Sequence, residues 1–127
     1  MILFNGLYIV GFILVAIIFV FVGYVFIERM YPHEQRITAK EASELIQKQG
    51  ARIVDVRTNA EWDVGHFPSA IHIPAPEIKE KALKKLDRTD TIIVYCNTGT
   101  RARNAAILLK ELGFKNTYYI AETYHEL

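Results

Sequence analysis

Residues 1–27 of this chain carry no charged side chain; all fifteen Lys and Arg and all fourteen Asp and Glu fall from Glu28 onward. Leu7 to Ile27, LYIVGFILVAIIFVFVGYVFI, is apolar on every side of a helix. At about 1.5 Å of rise per residue it covers roughly 30 Å, the thickness of a bilayer's hydrocarbon core. A buried core helix is the first competing reading, but about one hundred further residues are too few to surround a helix that is apolar all round. A cleaved signal peptide is the second. The segment has no basic leader, and the ERMYPHEQ that follows offers no small-x-small cleavage site. The sequence therefore predicts an uncleaved transmembrane helix over 1–28, a polar linker over 29–36 that contains Pro32, and a folded domain over 37–127.

The flanks orient the span. Tyr8 and Tyr24 stand near its ends, where interfacial aromatics are favoured, and Arg29 is placed to snorkel towards headgroups. No Lys or Arg precedes the span, whereas Arg29, Arg36 and Lys40 follow it, so the positive-inside rule predicts a single-pass cell-membrane protein with a cytoplasmic C-terminal domain. Gly6, Gly11 and Gly23 do not form a GxxxG pair, and no dimerisation face follows from them.

The charged remainder is balanced, with a formal net charge of +1, and holds no Lys/Arg cluster interleaved with aromatics. No nucleic-acid surface is expected from it. One cysteine excludes an intramolecular disulfide and a multi-cysteine metal site, and suits a reducing compartment. The histidines His33, His66, His72 and His125 show no metal-ligand spacing, so no metal is expected.

Strand and helix signals alternate from Arg36 onward. Thr38 and Glu41 form a capping box for a helix whose Ala42, Leu45 and Ile46 share one face, with Gly50 ending it. ARIVDVR reads as a buried strand, and Thr58 with Glu61 forms a second capping box over a short helix ending at Gly65. AIHIP is a short strand, Pro76 suits the first turn of a helix through EIKEKALKKL, and TIIVYC is the most apolar strand. RARNAAILLKEL is amphipathic and closed by Gly113, and NTYYI is a last strand. This alternation predicts an α/β domain with a central, mainly parallel sheet flanked by helices.

The lone cysteine, Cys96, falls where the most apolar strand ends and the next helix has not begun. Ligands of open α/β sheets bind at that edge. Asn97, Thr98, Gly99 and Thr100 are small or flexible enough for a tight loop whose backbone N–H groups converge at a helix N-terminus, an arrangement that binds anions and supports a thiolate. Arg101 adds a positive charge at the loop's far edge. The competing reading is a buried, inert cysteine, the commonest fate of a lone Cys on an apolar strand. The Gly-containing polar loop, the following Arg and the helix start favour catalysis.

Two stretches together carry a family resemblance. IVDVRTNAEWDVGHFPSAIHIP is similar to the D-V-R…E…G-H-I…A-x-N-I-P stretch of single-domain rhodaneses, and IVYCNTGTRA to their Y-C-x-x-G-x-R-S loop. The resemblance runs from Ile37 to about Ile120. It implies a rhodanese-like domain behind a membrane anchor, with sulfurtransferase activity and no cofactor beyond sulfur held covalently on Cys96. By that resemblance Cys96 is the sulfur-carrying nucleophile, the 97–101 backbone cradles the terminal sulfur, and Asp55, Arg57 and Glu61 match an ionic set near the pocket. The expected catalytic residues are Cys96 and Arg101, and the expected substrate-binding residues are Asn97, Thr98, Gly99, Thr100, Arg57 and Asp55. The implied donor is thiosulfate or a protein persulfide, and the acceptor a thiol, cyanide or a protein. A non-catalytic rhodanese-like module that tethers a partner at the membrane is the alternative. Phosphatases of similar fold resemble one another in C-x5-R, a loop wide enough for tetrahedral phosphate. Here the spacing is C-x4-R, and Ala102 stands at the position they need for Arg.

Four further residues have mainly structural readings. Glu61 is read first as a helix cap, His66 as a partner of backbone groups in a turn, and Trp62 and His72 as packing. Ala102 replaces the Ser usual in the family, and Ala121 with Glu122 its common Gly-Gly, so an altered or open pocket rim is expected.

Overall fold

A computed structural model describes residues 2–30 and 36–127. The chain divides into two units, Met1–His33 and Glu34–Leu127. The first contains a single helix, α1 (Ile2–Met30), within which Leu3–Ile27 is long and apolar enough to cross a membrane. None of that window is buried within the chain. The expected linker, Pro32 included, and the side chain of Arg29 lie outside the described residues, apart from the two ends of that linker.

In the second unit, α2 (Ala39–Gln49) starts at Thr38, whose side chain and that of Glu41 make the reciprocal capping bonds the sequence predicts. Gly50 ends it in the left-handed conformation, φ 61°. There follow β1 (Arg52–Asp55), α3 (Asn59–Val64), β2 (Ile71–His72), a 3-10 turn at Ala75–Glu77 and α4 (Ile78–Lys85). The chain continues through β3 (Ile92–Tyr95), α5 (Thr100–Glu111), β4 (Thr117–Tyr119) and a second 3-10 turn at Tyr124–Glu126. Pro76 lies in the 3-10 turn that leads into α4, where its missing N–H costs nothing.

The four strands are all parallel in the order β2-β1-β3-β4. Both faces are covered, which explains why β1 and β3 are almost continuously buried. Alternate residues separate into two cores. Val54, Ile92 and Val94 face one core with Ala82 of α4 and Ala102, Ala105, Ala106 and Leu109 of α5. Ile53, Ile93 and Tyr95 face the other with Ala42 of α2 and Ile120. The alanines of α5 bring that helix close to the sheet, and with it the helix N-terminus behind Cys96.

Strand order positions the site. The chain leaves β1 towards β2 at one side and leaves β3 towards β4 at the other, so the segments after β1 and β3 diverge and open a crevice between them. Asp55 pairs with Tyr95 in register, so Arg57 and Cys96 emerge at the same edge.

Candidate active site

Cys96 lies one residue beyond β3 on the α5 side of the sheet and is 1% exposed. Its Sγ accepts the backbone N–H of Gly99 at 3.1 Å and that of Ala102 at 3.4 Å. The expected backbone cradle over 97–101 is thus narrower and shifted: the donors to sulfur are one loop residue and the third residue of α5. A substituent on Sγ meets the first turn of a twelve-residue helix, where the unpaired N–H groups and the macrodipole favour negative charge. Gly99 caps this helix with φ 96°, and a Cβ placed on it would lie 2.8 Å from Ala121 Cα. The conformation and the close approach both demand glycine. At the rim, Ala121 therefore lies against the loop, while Glu122 Oε2 is buried without a hydrogen-bond partner. Asn97, Thr98 and Thr100 are exposed on the loop's outer side.

Arg101 is turned towards a carboxylate. Its Nη1 donates to Glu61 Oε1 at 2.6 Å and its Nη2 to Glu61 Oε2 at 3.0 Å, a two-point pair at partly exposed side chains. Asn97 Nδ2 donates to the same Oε2. Glu61 also closes the α3 capping box, accepting from the Thr58 N–H and hydroxyl through Oε1. One side chain thus joins the α3 cap to both ends of the cysteine loop. The capping role expected of Glu61 is present, and the second role is larger than its sequence position suggested. The capping oxygen Oε1 is shared with Arg101, and Oε2, which the cap does not use, takes Arg101 and Asn97. The hydrogen bonds from Arg101 are the largest cause holding the Glu61 carboxyl well below its ordinary value, against a smaller opposing effect of burial. The same bonds raise Arg101.

Asp55 and Arg57 are buried beside Tyr95, whose side chain faces the second core. Asp55 is fully buried and Arg57 is 5% exposed. Arg57 Nε donates to both Asp55 oxygens at 3.1 Å, and Nη2 donates to Asp55 Oδ2 and to the Gly65 carbonyl, each at 2.7 Å. Tyr95 donates its hydroxyl to Asp55 Oδ2 and accepts the Phe67 N–H at 3.2 Å. The Arg57 guanidinium lies 5.6 Å from the Tyr95 ring centroid and 5.1 Å from that of Tyr124, within cation–π range. Burial chiefly, and then the bond to Asp55, push the Tyr95 phenol above its usual range. The bonds of Asp55 and Arg57, both expected substrate-binding residues, fix the β1–α3 segment that carries Glu61. The strand alternation explains it: residues 53 and 55 share the α2 face with Tyr95, away from Cys96.

Trp62 is stacked between two imidazoles, with centroids 3.4 Å from His66 and 4.6 Å from His72. His66 Nδ1 donates to the Trp62 carbonyl at 2.9 Å and His72 Nε2 to the Arg57 carbonyl at 2.8 Å. These are the turn-holding and packing roles predicted for them. Among the described residues, no three His, Cys, Asp or Glu side chains are grouped so as to hold a metal ion.

Comparison with known proteins gives concordant findings. The family model for the rhodanese-like domain matches residues 38–126. A tRNA uridine(34) hydroxylase of Hamiltonella defensa is 34% identical over 91 residues, which are 68% of this chain and 26% of that protein. One of Buchnera aphidicola is 33% identical over 89 residues, covering 66% and 28% respectively. The chain thus spans only about a quarter of these relatives' length. A solved rhodanese-related protein of Thermoplasma volcanium superposes with a TM-score of 0.61 at 30% identity, over 70% of this chain and 85% of that one. A human single-domain sulfurtransferase superposes at 0.62 and 24% identity, over 74% and 95%, a likeness of fold.

Proposed function

Because this chain belongs to the rhodanese-like domain family, we propose that it is a membrane-anchored sulfurtransferase that carries sulfane sulfur as a persulfide on Cys96. The observation that carries this reading is the pair of N–H donors, from Gly99 and Ala102, directed at Sγ. The thiolate attacks the outer sulfur of a thiosulfate-like or persulfide donor, and the Sγ–S bond forms as the donor's S–S bond breaks. Sulfite or a thiolate leaves with the electron pair. A thiol or cyanide acceptor then attacks the outer sulfur and regenerates the Cys96 thiolate. No cofactor takes part.

The helix N-terminus stabilises negative charge at the sulfur in both half-reactions. Arg101 acts through Glu61 to keep the loop in its sulfur-facing shape. The relatives named as tRNA hydroxylases are far longer than the stretch this chain matches, and the balanced charge of the soluble unit favours sulfur transfer over a nucleic-acid substrate. Leu3–Ile27 supplies the anchor, and Arg36 and Lys40 beyond it favour a cytoplasmic domain.

The test is whole-protein mass spectrometry of the full chain in detergent after exposure to thiosulfate and to an alkyl persulfide. A gain of one sulfur atom is expected, absent in Cys96→Ser because a hydroxyl is a poor nucleophile for sulfur. No gain with either donor sinks the enzyme reading and leaves the tethered binding module.

A further inference from the structure

The sulfur site is buried, and the two arginines of the family's motifs are already neutralised. Arg101 directs both terminal nitrogens to Glu61, and Arg57 is paired with the buried Asp55. Neither presents a free charge to an anion approaching Sγ. Thiosulfate is a dianion whose outer sulfur is bonded to a tetrahedral sulfonate. Its approach would bring three charged oxygens to a site where the Glu61 carboxylate sits on the arginine expected to receive them. Steric access points the same way. Cys96 is 1% exposed and its loop packs against Ala121, so the donor must present its outer sulfur on a slender stem. In a persulfide, that stem is a two-coordinate sulfur.

Resting on the sulfur-carrier reading above, we propose that Cys96 is loaded by a low-charge persulfide, R–S–SH, in preference to thiosulfate, and that Glu61 sets this preference by occupying Arg101. In the loading step the Cys96 thiolate attacks the outer sulfur and a new Sγ–S bond forms. The S–S bond between that outer sulfur and the R-bearing sulfur breaks, and R–S⁻ leaves with the electron pair and is protonated by water. The transferred sulfur keeps its proton and its formal oxidation state, so no external oxidant or reductant is required. Gly99 and Ala102 N–H groups then face the new persulfide.

The experiment compares initial rates of Cys96 loading in the full chain in detergent, using 2-hydroxyethyl persulfide and thiosulfate as donors, read by intact mass. The wild type is expected to favour the persulfide in loading efficiency by about a hundredfold, the scale on which a missing anion-stabilising donor acts. In Glu61→Gln the side chain keeps its shape but releases Arg101 from a countercharge. The ratio of thiosulfate to persulfide efficiency should rise by about tenfold, on the scale of one charge-assisted contact. Using a ratio removes any general loss from a loosened loop, which lowers both donors together. Equal loading by the two donors in the wild type, or a ratio unmoved in Glu61→Gln, overturns this donor assignment while leaving Cys96 a sulfur carrier. Loading by neither donor overturns the carrier reading itself.

Discussion

Arg101 and Glu61, forty residues apart in sequence, meet as a two-point ion pair at 2.6 and 3.0 Å across the crevice between the segments following β1 and β3. The pair has a pH signature. The Glu61 carboxyl is held below its ordinary value of 4.5, chiefly by the Arg101 hydrogen bonds. A depressed folded-state value contributes stability above the unfolded one and loses it as pH falls through the folded one. The stability difference between wild type and Glu61→Gln should therefore be constant near neutrality. It should shrink only as pH drops below the ordinary carboxylate range. Because both side chains are partly exposed, the plateau should be about 1 kcal/mol or less. Urea unfolding of the full chain at a series of pH values measures it. A difference that grows on acidification would contradict the pairing.

Gly99 carries two independent constraints, a φ of 96° and a backbone contact with Ala121. Gly99→Ala should cost about 1–3 kcal/mol from the strained backbone, with the clash adding to it. Relief of that clash requires the loop to move away from Sγ, so sulfur loading should fall more steeply than stability does. Gly50→Ala is the control. It has a positive φ of 61° and open space around it, and should lose stability alone.

The order of elements, both capping boxes and the parallel sheet were legible because each rests on local chemistry: Thr38 with Glu41, Thr58 with Glu61, and short β-branched runs such as IVDV and TIIV. The loop at Cys96 was legible for the same reason, since its residues are consecutive. What joins distant segments was not. Glu61 reads as a cap within its own turn, and only the β1–β3 register brings it to Arg101. Asp55 and Arg57 flank Val56, and alternation along the strand, visible only once the sheet's two faces are assigned, sends them to the core shared with Tyr95.

That buried network supports a prediction about scaffold rather than chemistry. Asp55→Asn leaves the guanidinium of Arg57, 5% exposed, without its counterion and should cost about 3–5 kcal/mol. Tyr95→Phe removes one donor to Asp55 and one acceptor for Phe67 N–H, and should cost about 1–3 kcal/mol. Denaturant midpoints measure both. In Tyr95→Phe, the loading rate of the folded fraction should stay close to wild type. A selective loss of loading would place Tyr95 in the reaction.

Leu3–Ile27 leads to a test in cells. The full chain should remain with the membrane fraction through high-salt and carbonate washes, since burial of so many apolar side chains in lipid is not reversed by screening charge. Protease added outside intact cells should spare the domain under the proposed orientation, in which the positive-inside rule retains Arg36 and Lys40 in the cytoplasm. Release by salt alone would exclude a spanning helix.

Loop length separates sulfur chemistry from phosphate chemistry. In C-x4-R, the N–H groups of Gly99 and Ala102 both lie within hydrogen-bond distance of Sγ itself. Their convergence point is at the sulfur, or one atom beyond it. A phosphoryl group needs a wider ring of donors around three oxygens held past the sulfur, which is the room a fifth intervening residue supplies. Aryl phosphates should therefore give no turnover above background. Inserting one glycine between Thr98 and Gly99 should draw the cradle away from Sγ and shift Arg101 relative to Glu61. Sulfur loading should then fall by at least about a hundredfold, on the scale of one lost preorganised donor. Phosphatase assays and intact-mass loading on the same preparations read both outcomes. Cys96-dependent phosphate release from the unmodified chain would overturn the argument from spacing.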